Sequence, residues 1–157
     1  MKYIFDTSIF VDANVLHFPL GTHPVFWNWL LKLAGEGTIS SPKKVFEELK
    51  GYKDDLAPWA RLHKAVLFNQ EAAIWQIKRV MDEGYGSLDE VTLEKVKADP
   101  WVIAHALAVG GTVVTSEKPV KKLRPADKKI PIVCETLGVP WCTITAFLWQ
   151  MRTTMPT

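Results

Sequence analysis

Short apolar segments alternate with longer segments of helical periodicity along this chain, and this alternation restricts the fold more than any other feature. Residues 3–5 (Tyr-Ile-Phe) form a continuous apolar run, typical of a central strand covered on both faces. Residues 112–115 form a second such run, and a short connection joins it to the helix before it. Residues 38–40 and 139–144 are weaker strand candidates. The pattern predicts an α/β fold with a central, mainly parallel sheet of roughly four to five strands.

Helices are predicted between these strands by apolar spacing and by proline and glycine signals. Residues 24–34 and 100–109 have helical periodicity, and glycines follow both segments. Ser41 is predicted as the N-cap of a helix that has Pro42 in its first turn and runs to about residue 50. Residues 54–97 are predicted to form two to four helices. Two shorter helices are expected over residues 132–137 and 145–151.

The length and composition indicate one domain over residues 1–157. The chain is 48% hydrophobic, which is enough for a real core. Its 157 residues are too few for a second domain. Neither a signal peptide nor a membrane span is recognisable, so a cytoplasmic protein without membrane contact is expected. Cys134 and Cys142 lack CxxC spacing and are interpreted as reduced, buried thiols. The net charge of +2 is too small to indicate a nucleic-acid binder by itself.

Four acids occupy comparable places in the predicted elements: Asp6, Glu48, Asp99 and Glu117. Asp6 directly follows the first strand, and Glu117 lies just beyond the strand at 112–115. Asp99 begins a helix, and Glu48 lies in the helix after the second strand. Because functional groups of a parallel sheet collect at the carboxyl ends of its strands, these acids are expected to converge. Clustered carboxylates favour Mg²⁺ or Mn²⁺, and the chemistry that fits is phosphodiester hydrolysis.

At these residues the sequence resembles the PIN domain family. Residues 3–8 (Tyr-Ile-Phe-Asp-Thr-Ser) resemble its opening strand and first acid, while Glu48, Asp99 and Glu117 with their neighbours resemble the other three acid segments. The resemblance implies a three-layer α/β/α fold, a Mg²⁺- or Mn²⁺-dependent ribonuclease site built from all four acids, and products with a 5′-phosphate and a 3′-hydroxyl. Many small bacterial and archaeal members are toxins neutralised by an antitoxin. Other segments, such as 98–101 and 130–134, resemble a less characterised PIN-like branch whose function is not established.

Each acid also has a structural interpretation that involves no metal. Asp99 before Pro100 is typical of a helix N-cap, and an acid at a strand end, such as Asp6, often forms a turn. Glu117 fits a solvated loop acid, and it is longer than the aspartate more common at this place in the family. Of the adjacent Glu47 and Glu48 only one can point inward, and Glu48 is preferred because it precedes a leucine.

Other polar residues near this edge are given structural roles. Asp12 and Asn14 are interpreted as caps of the next helix, and Thr7 and Ser8 as hydroxyl donors to backbone or carboxylate. The four histidines show no metal-binding spacing, and His105 is expected to pack on its helix.

Basic residues near the acids are candidate RNA contacts, because a polyanion approaching four carboxylates needs compensating cations. A solvated loop is the alternative interpretation for the lysine-rich segment after Glu117. The candidates for RNA binding are Lys43, Lys44, Lys118, Lys121, Lys122 and Arg124.

The sequence thus predicts a Mg²⁺- or Mn²⁺-dependent endoribonuclease, and the resemblance implies that it is the toxin of a toxin–antitoxin pair. The predicted partners are RNA, a cognate antitoxin protein and a second copy in a homodimer. The alternative is a PIN-like module that binds RNA or protein without turnover. A phosphatase-like or phosphoacceptor domain using Asp6 is disfavoured, because the chain lacks the accompanying acids of those families.

Overall fold

The computed structural model describes residues 1–156, and a sheet of four parallel strands lies at the centre of the fold. The strands are β1 (Tyr3–Phe5), β2 (Ile39–Ser40), β3 (Thr112–Val114) and β4 (Trp141–Cys142), in the spatial order β2-β1-β3-β4. β1 lies between two neighbours, with Tyr3 opposite both Ile39 and Thr112. The predicted α/β fold with a parallel central sheet, and the central place of β1, are confirmed.

Helices cover the sheet on both sides and give a three-layer α/β/α arrangement. In chain order they are α1 (Thr7–Asp12), α2 (Pro24–Gly35), α3 (Lys43–Leu49), α4 (Leu56–Leu62), α5 (Lys64–Leu67), α6 (Ile74–Arg79), α7 (Glu90–Val96), α8 (Asp99–Val109), α9 (Ile130–Leu137) and α10 (Ile144–Gln150). Two of them continue into π-helical turns, α1 over Ala13–His17 and α6 over Val80–Tyr85. Between residues 1 and 156, no helix has the length and apolar content needed to span a bilayer.

The helix after β1 was not expected from the sequence, and its start determines how Asp6 is held. The Asp6 carboxylate accepts a hydrogen bond from the backbone N–H of Ser8, so it caps α1. Asp12 and Asn14 do not cap a helix, contrary to expectation, because the chain stays helical through both. The Asn14 amide instead donates to Asp54 and Asp55, at 3.2 and 3.1 Å.

Two further predicted caps are wrong. Ser41 is fully buried, and its hydroxyl donates to the carbonyl oxygen of Phe5 at 2.7 Å, so it satisfies the end of β1 rather than α3. Asp99 is the first residue of α8, not its N-cap, and its side chain makes no capping hydrogen bond. Ser41 thus bonds to a distant group that its local sequence context does not reveal, whereas the Asp99 carboxylate bonds to no described residue.

The core consists of aromatic and aliphatic side chains on both faces of β1. The Phe5 and Phe147 rings meet edge to face at a centroid distance of 5.0 Å, and Trp27 donates from Nε1 to the Phe18 carbonyl at 2.6 Å. Trp75 and Trp149, by contrast, are 66% and 67% exposed, so not every tryptophan is used for packing.

Two residue types interpreted as structural lie in the interior. His105 is buried on α8 with Nε2 2.9 Å from the Ser40 hydroxyl, and burial lowers its pKa to about 4. Cys134 and Cys142 are free, and Cys134 is buried whereas Cys142 is only partly so. Burial raises the pKa of the Cys134 thiol to about 12, which makes it a poor nucleophile.

Candidate functional site

The carboxyl ends of β1 and β3 bring the first and last of the four acids to one edge of the sheet. Phe5 pairs with Val114, and the Asp6 N–H donates to the Val114 carbonyl at 3.1 Å. Asp6 therefore lies beside Thr115, and Thr115 precedes Glu117 by two residues. α3 and α8 follow β2 and precede β3, and they contribute Glu48 and Asp99 to the same edge.

An open cavity of about 780 Å³ lies at this edge, and all four acids line it. The other charged residues lining the cavity are two acids and five lysines: Asp12, Asp127, Lys95, Lys97, Lys122, Lys128 and Lys129. The cavity therefore has an acidic floor and lysines from two separate segments of the chain. Such a surface attracts a cation to its base and a polyanion to its rim.

Asp6 is the most completely buried of the four acids and is held by hydroxyl groups. It is 3% exposed, and its Oδ2 accepts hydrogen bonds from Ser8 Oγ at 2.7 Å and Thr115 Oγ1 at 2.6 Å. Burial raises the pKa of Asp6, and these hydrogen bonds oppose that rise. Ser8 Oγ also accepts from the Ser116 N–H at 3.0 Å, so one hydroxyl network joins the ends of β1 and β3. Ser8 and Thr115 therefore orient Asp6.

Glu48 lines the cavity. Its neighbour Glu47 is exposed, with Oε2 3.8 Å from Nζ of Lys44. Glu48 Oε1 accepts hydrogen bonds from Thr7 Oγ1 at 3.1 Å and from the Ala98 N–H at 3.3 Å. Burial raises the pKa of Glu48, and the nearby Asp6 charge adds to the rise. The second of these hydrogen bonds links Glu48 to Ala98, the residue before Asp99.

Asp99 is the acid with the least support from the protein. No hydrogen-bond donor within residues 1–156 reaches either oxygen of its carboxylate. Burial, followed by the charges of Asp6, Glu117 and Glu48, raises its pKa well above the ordinary value, and Lys129 opposes the rise. An acid in this position gains most from a bound cation, because a cation would offset both causes.

Glu117 is anchored at the start of α9. Its Oε2 accepts a hydrogen bond from the Ile130 N–H at 2.7 Å, which satisfies one of the free donors of that helix terminus. Burial raises the pKa of Glu117, and the Ile130 hydrogen bond lowers it. This contact gives a physical reason for glutamate here, because the side chain reaches both the cavity and the helix terminus.

The donor set fits a hard divalent cation, although the carboxylates do not form a closed set of ligands. Within residues 1–156, no three histidine, cysteine, aspartate or glutamate side chains are arranged as a group that could hold a metal as they stand. The described hydrogen bonds nevertheless leave Oε2 of Glu48, Oε1 of Glu117 and both oxygens of Asp99 free. The available donors are thus carboxylate oxygens, which Mg²⁺ and Mn²⁺ prefer over the nitrogen and sulfur that favour zinc.

The structure divides the basic residues predicted from the sequence. Lys122 lines the cavity, while Lys118, Lys121 and Arg124 are exposed in the same segment but lie outside the lining. Lys43 pairs with Glu71 at 2.8 Å, and Lys44 lies 4.7 Å from the ring centroid of Trp101 in a neighbouring cleft.

The sequence interpretation missed Lys95 and Lys97, which line the cavity from the other side. A signal for them was present, since both lysines come shortly before Asp99 in the chain. Lys97 also has an unusual backbone, with φ 53° and ψ −124°, and it is the one residue other than glycine with positive φ in the described chain. Strain of this kind is concentrated at functional sites.

Comparison with known proteins gives a family but no activity. The profile of one family, described as a domain of unknown function (DUF4411), matches residues 3–155. The chain belongs to this family. The match includes all four acids and the five lysines of the cavity. No curated protein matches the chain, and no solved structure does.

Proposed function

We propose that this protein is a metal-dependent endoribonuclease that hydrolyses phosphodiester bonds of RNA. The observation that carries the proposal is the convergence of four acids, from four separate segments of the chain, at the base of one lysine-rimmed cavity. The resemblance of the same residues to the PIN domain family supports RNA as the substrate.

Asp6, Glu48, Asp99 and Glu117 would hold Mg²⁺ or Mn²⁺ through their carboxylate oxygens. When bound, such an ion activates water and neutralises charge that develops on the phosphate. The protein's own side chains position the carboxylates. Ser8 and Thr115 fix the orientation of Asp6, as described above.

The lysines would bind the RNA backbone. Lys95 and Lys97 lie just before α8, while Lys122, Lys128 and Lys129 lie between β3 and α9, so a strand entering the cavity meets cations from both sides. Phosphate contacts supply affinity and register without reading base sequence. Lys95 also pairs with Asp127 at 2.7 Å, which links the two sides of the cavity.

The setting we propose is the cytoplasm, with an antitoxin protein and a second copy of the chain as partners. The cytoplasmic setting is supported by two free cysteines, since reduced thiols are typical of a reducing compartment. The partners are supported by the resemblance to small PIN-domain toxins.

The test is cleavage of 5′-labelled single-stranded RNA by the purified protein in Mn²⁺, compared with the variants Asp6→Asn and Asp99→Asn. Both variants should fold, keep their circular dichroism spectrum and lose cleavage. Glu47→Gln is the matched control, because this acid is exposed and does not line the cavity, and it should cleave at the wild-type rate. Undiminished cleavage by both asparagine variants would overturn the proposal.

The second candidate is a module that binds RNA without turnover. It is favoured by the anchoring of Glu117 at α9 and by the lack of a closed ligand set among the described residues. RNA binding that persists without divalent ions, combined with no cleavage of any RNA tested, would select this candidate.

A further inference from the structure

One hydroxyl group stands out in the interior of the protein. Tyr85 is fully buried, and its Oη is the one buried side-chain polar atom of residues 1–156 without a hydrogen-bond partner. A buried donor left unpaired destabilises a fold, so native proteins rarely keep one without a reason.

The position of Tyr85 results from an unusual local structure. It ends the π-helical turn that follows α6, and Gly86 continues in a left-handed conformation with φ 84°. The turn packs against α8, which begins with Asp99, and against α9. Gly84 permits the close approach, because a Cβ there would lie 2.7 Å from Val133 Cγ1. π-Helical turns of this kind occur frequently at functional sites.

The Tyr85 hydroxyl lies near enough to three of the four acids, Asp99, Glu117 and Asp6, for their charges to act on its pKa. The pKa of Tyr85 is raised well above its ordinary value by burial first and then by the charges of Asp99 and Glu117. Tyr85 does not line the cavity, so it has no direct access to a ligand there. Any effect on the site must therefore pass through another residue.

Asp99 is the complementary group. Its carboxylate accepts no hydrogen bond from the described residues, while the Tyr85 hydroxyl donates none, and the two residues lie on helical segments packed against each other. Ligating carboxylates are ordinarily held by hydrogen bonds from residues behind them. Asp6, Glu48 and Glu117 already have such partners, and Asp99 does not.

We propose that Tyr85 is a positioning residue of the site, and that its hydroxyl donates a hydrogen bond to the Asp99 carboxylate when a divalent cation is bound. The proposal rests on the proposed function, because it requires a cation at the four acids. This role would explain why an unpaired hydroxyl is kept in the interior, which packing alone does not.

The test compares Mg²⁺ binding by the wild type, Tyr85→Phe and Tyr3→Phe, measured by calorimetry without RNA. Tyr85→Phe removes only the hydroxyl. Because that group is unpaired in this structure, the metal-free variant should unfold at no lower urea concentration than the wild type. Its dissociation constant for Mg²⁺ should rise roughly tenfold or more. Tyr3→Phe should bind Mg²⁺ like the wild type, because the Tyr3 hydroxyl is already bonded to Gln150 Oε1 at 2.6 Å.

A spectroscopic readout separates positioning from packing. The chain has three tyrosines, so protein labelled with ¹³C at tyrosine Cζ gives three signals, and the signal missing in Tyr85→Phe belongs to Tyr85. Mg²⁺ should shift the Tyr85 signal and leave that of Tyr3 in place. An unchanged Mg²⁺ affinity in Tyr85→Phe, or an unmoved Tyr85 signal at saturation, overturns this inference alone. If the wild type binds neither Mg²⁺ nor Mn²⁺ in the same titration, the proposed function is overturned and the inference with it.

Discussion

Lys97, which lines the cavity, has a backbone with positive φ, and glycine should be more stable than alanine at this position. Its φ of 53° combined with ψ of −124° lies outside the basin that residues with a Cβ tolerate at positive φ. Conformations of this kind cost of the order of 1–3 kcal/mol, and glycine avoids most of that cost. Glycine also gains more freedom in the unfolded chain, which costs about 0.5–1 kcal/mol relative to alanine. The net expectation is that Lys97→Gly is more stable than Lys97→Ala by about 0.5–2 kcal/mol.

The assay is urea unfolding of the two variants, both of which lack the ammonium group. Lys95 supplies the matched control, because it lies in α7 with ordinary helical geometry. At position 95 the order of stability should reverse, and Lys95→Gly should be less stable than Lys95→Ala by up to about 1 kcal/mol. If glycine is also the less stable residue at position 97, the strained conformation is absent and the reasoning fails. RNA affinity should fall equally in Lys97→Gly and Lys97→Ala, because both lose the same charge.

Three further predictions concern acidity, packing and RNA binding. In metal-free buffer the unfolded chain loses the Asp99 proton above about pH 3.8, whereas the folded chain retains it to a higher pH, so the stability of the wild type should fall as pH rises through this interval. Asp99→Asn should remove that part of the slope in urea melts, and a pH-independent difference between the two proteins would contradict the assignment. Gly84→Ala should cost about 1–3 kcal/mol by thermal unfolding, because the new methyl would lie 2.7 Å from an α9 side-chain carbon, whereas Gly35→Ala, with open space around it, should not destabilise the protein. Lys122→Ala should reduce the slope of the logarithm of the RNA-binding constant against the logarithm of salt concentration by about one. Lys118 lies outside the cavity, so Lys118→Ala should change this slope less.

Much of the fold could be predicted because the signals that define it are local. The apolar runs at β1 and β3 and the glycines that end α2 and α8 specify their elements within a few residues. The cap predicted at Ser41 failed because a local pattern does not reveal which distant group a side chain will meet, and the one at Asp99 failed because the helix begins one residue earlier than predicted. The helix after β1 was missed for a related reason, since its single phenylalanine, Phe10, packs against Phe68, far along the chain.

The site was predictable only as a set of acids. Their placement after strands and at a helix start brought all four to one cavity, and Glu48 rather than Glu47 faces it. The hydroxyl network around Asp6 and the anchoring of Glu117 at Ile130 depend on contacts between residues distant in sequence. The same is true of Tyr85, whose unpaired hydroxyl becomes visible only when burial and partners are known.

The most direct test of the central claim is the position of a divalent cation in the protein, measured by anomalous diffraction from crystals grown with Mn²⁺. The proposed metal site predicts an anomalous peak inside the cavity, with direct ligation by Asp99 and at least one other of the four acids. In crystals of Asp99→Asn that peak should weaken or disappear. A cavity without manganese in wild-type crystals, or manganese bound only elsewhere on the protein, would contradict a metal site at the four acids.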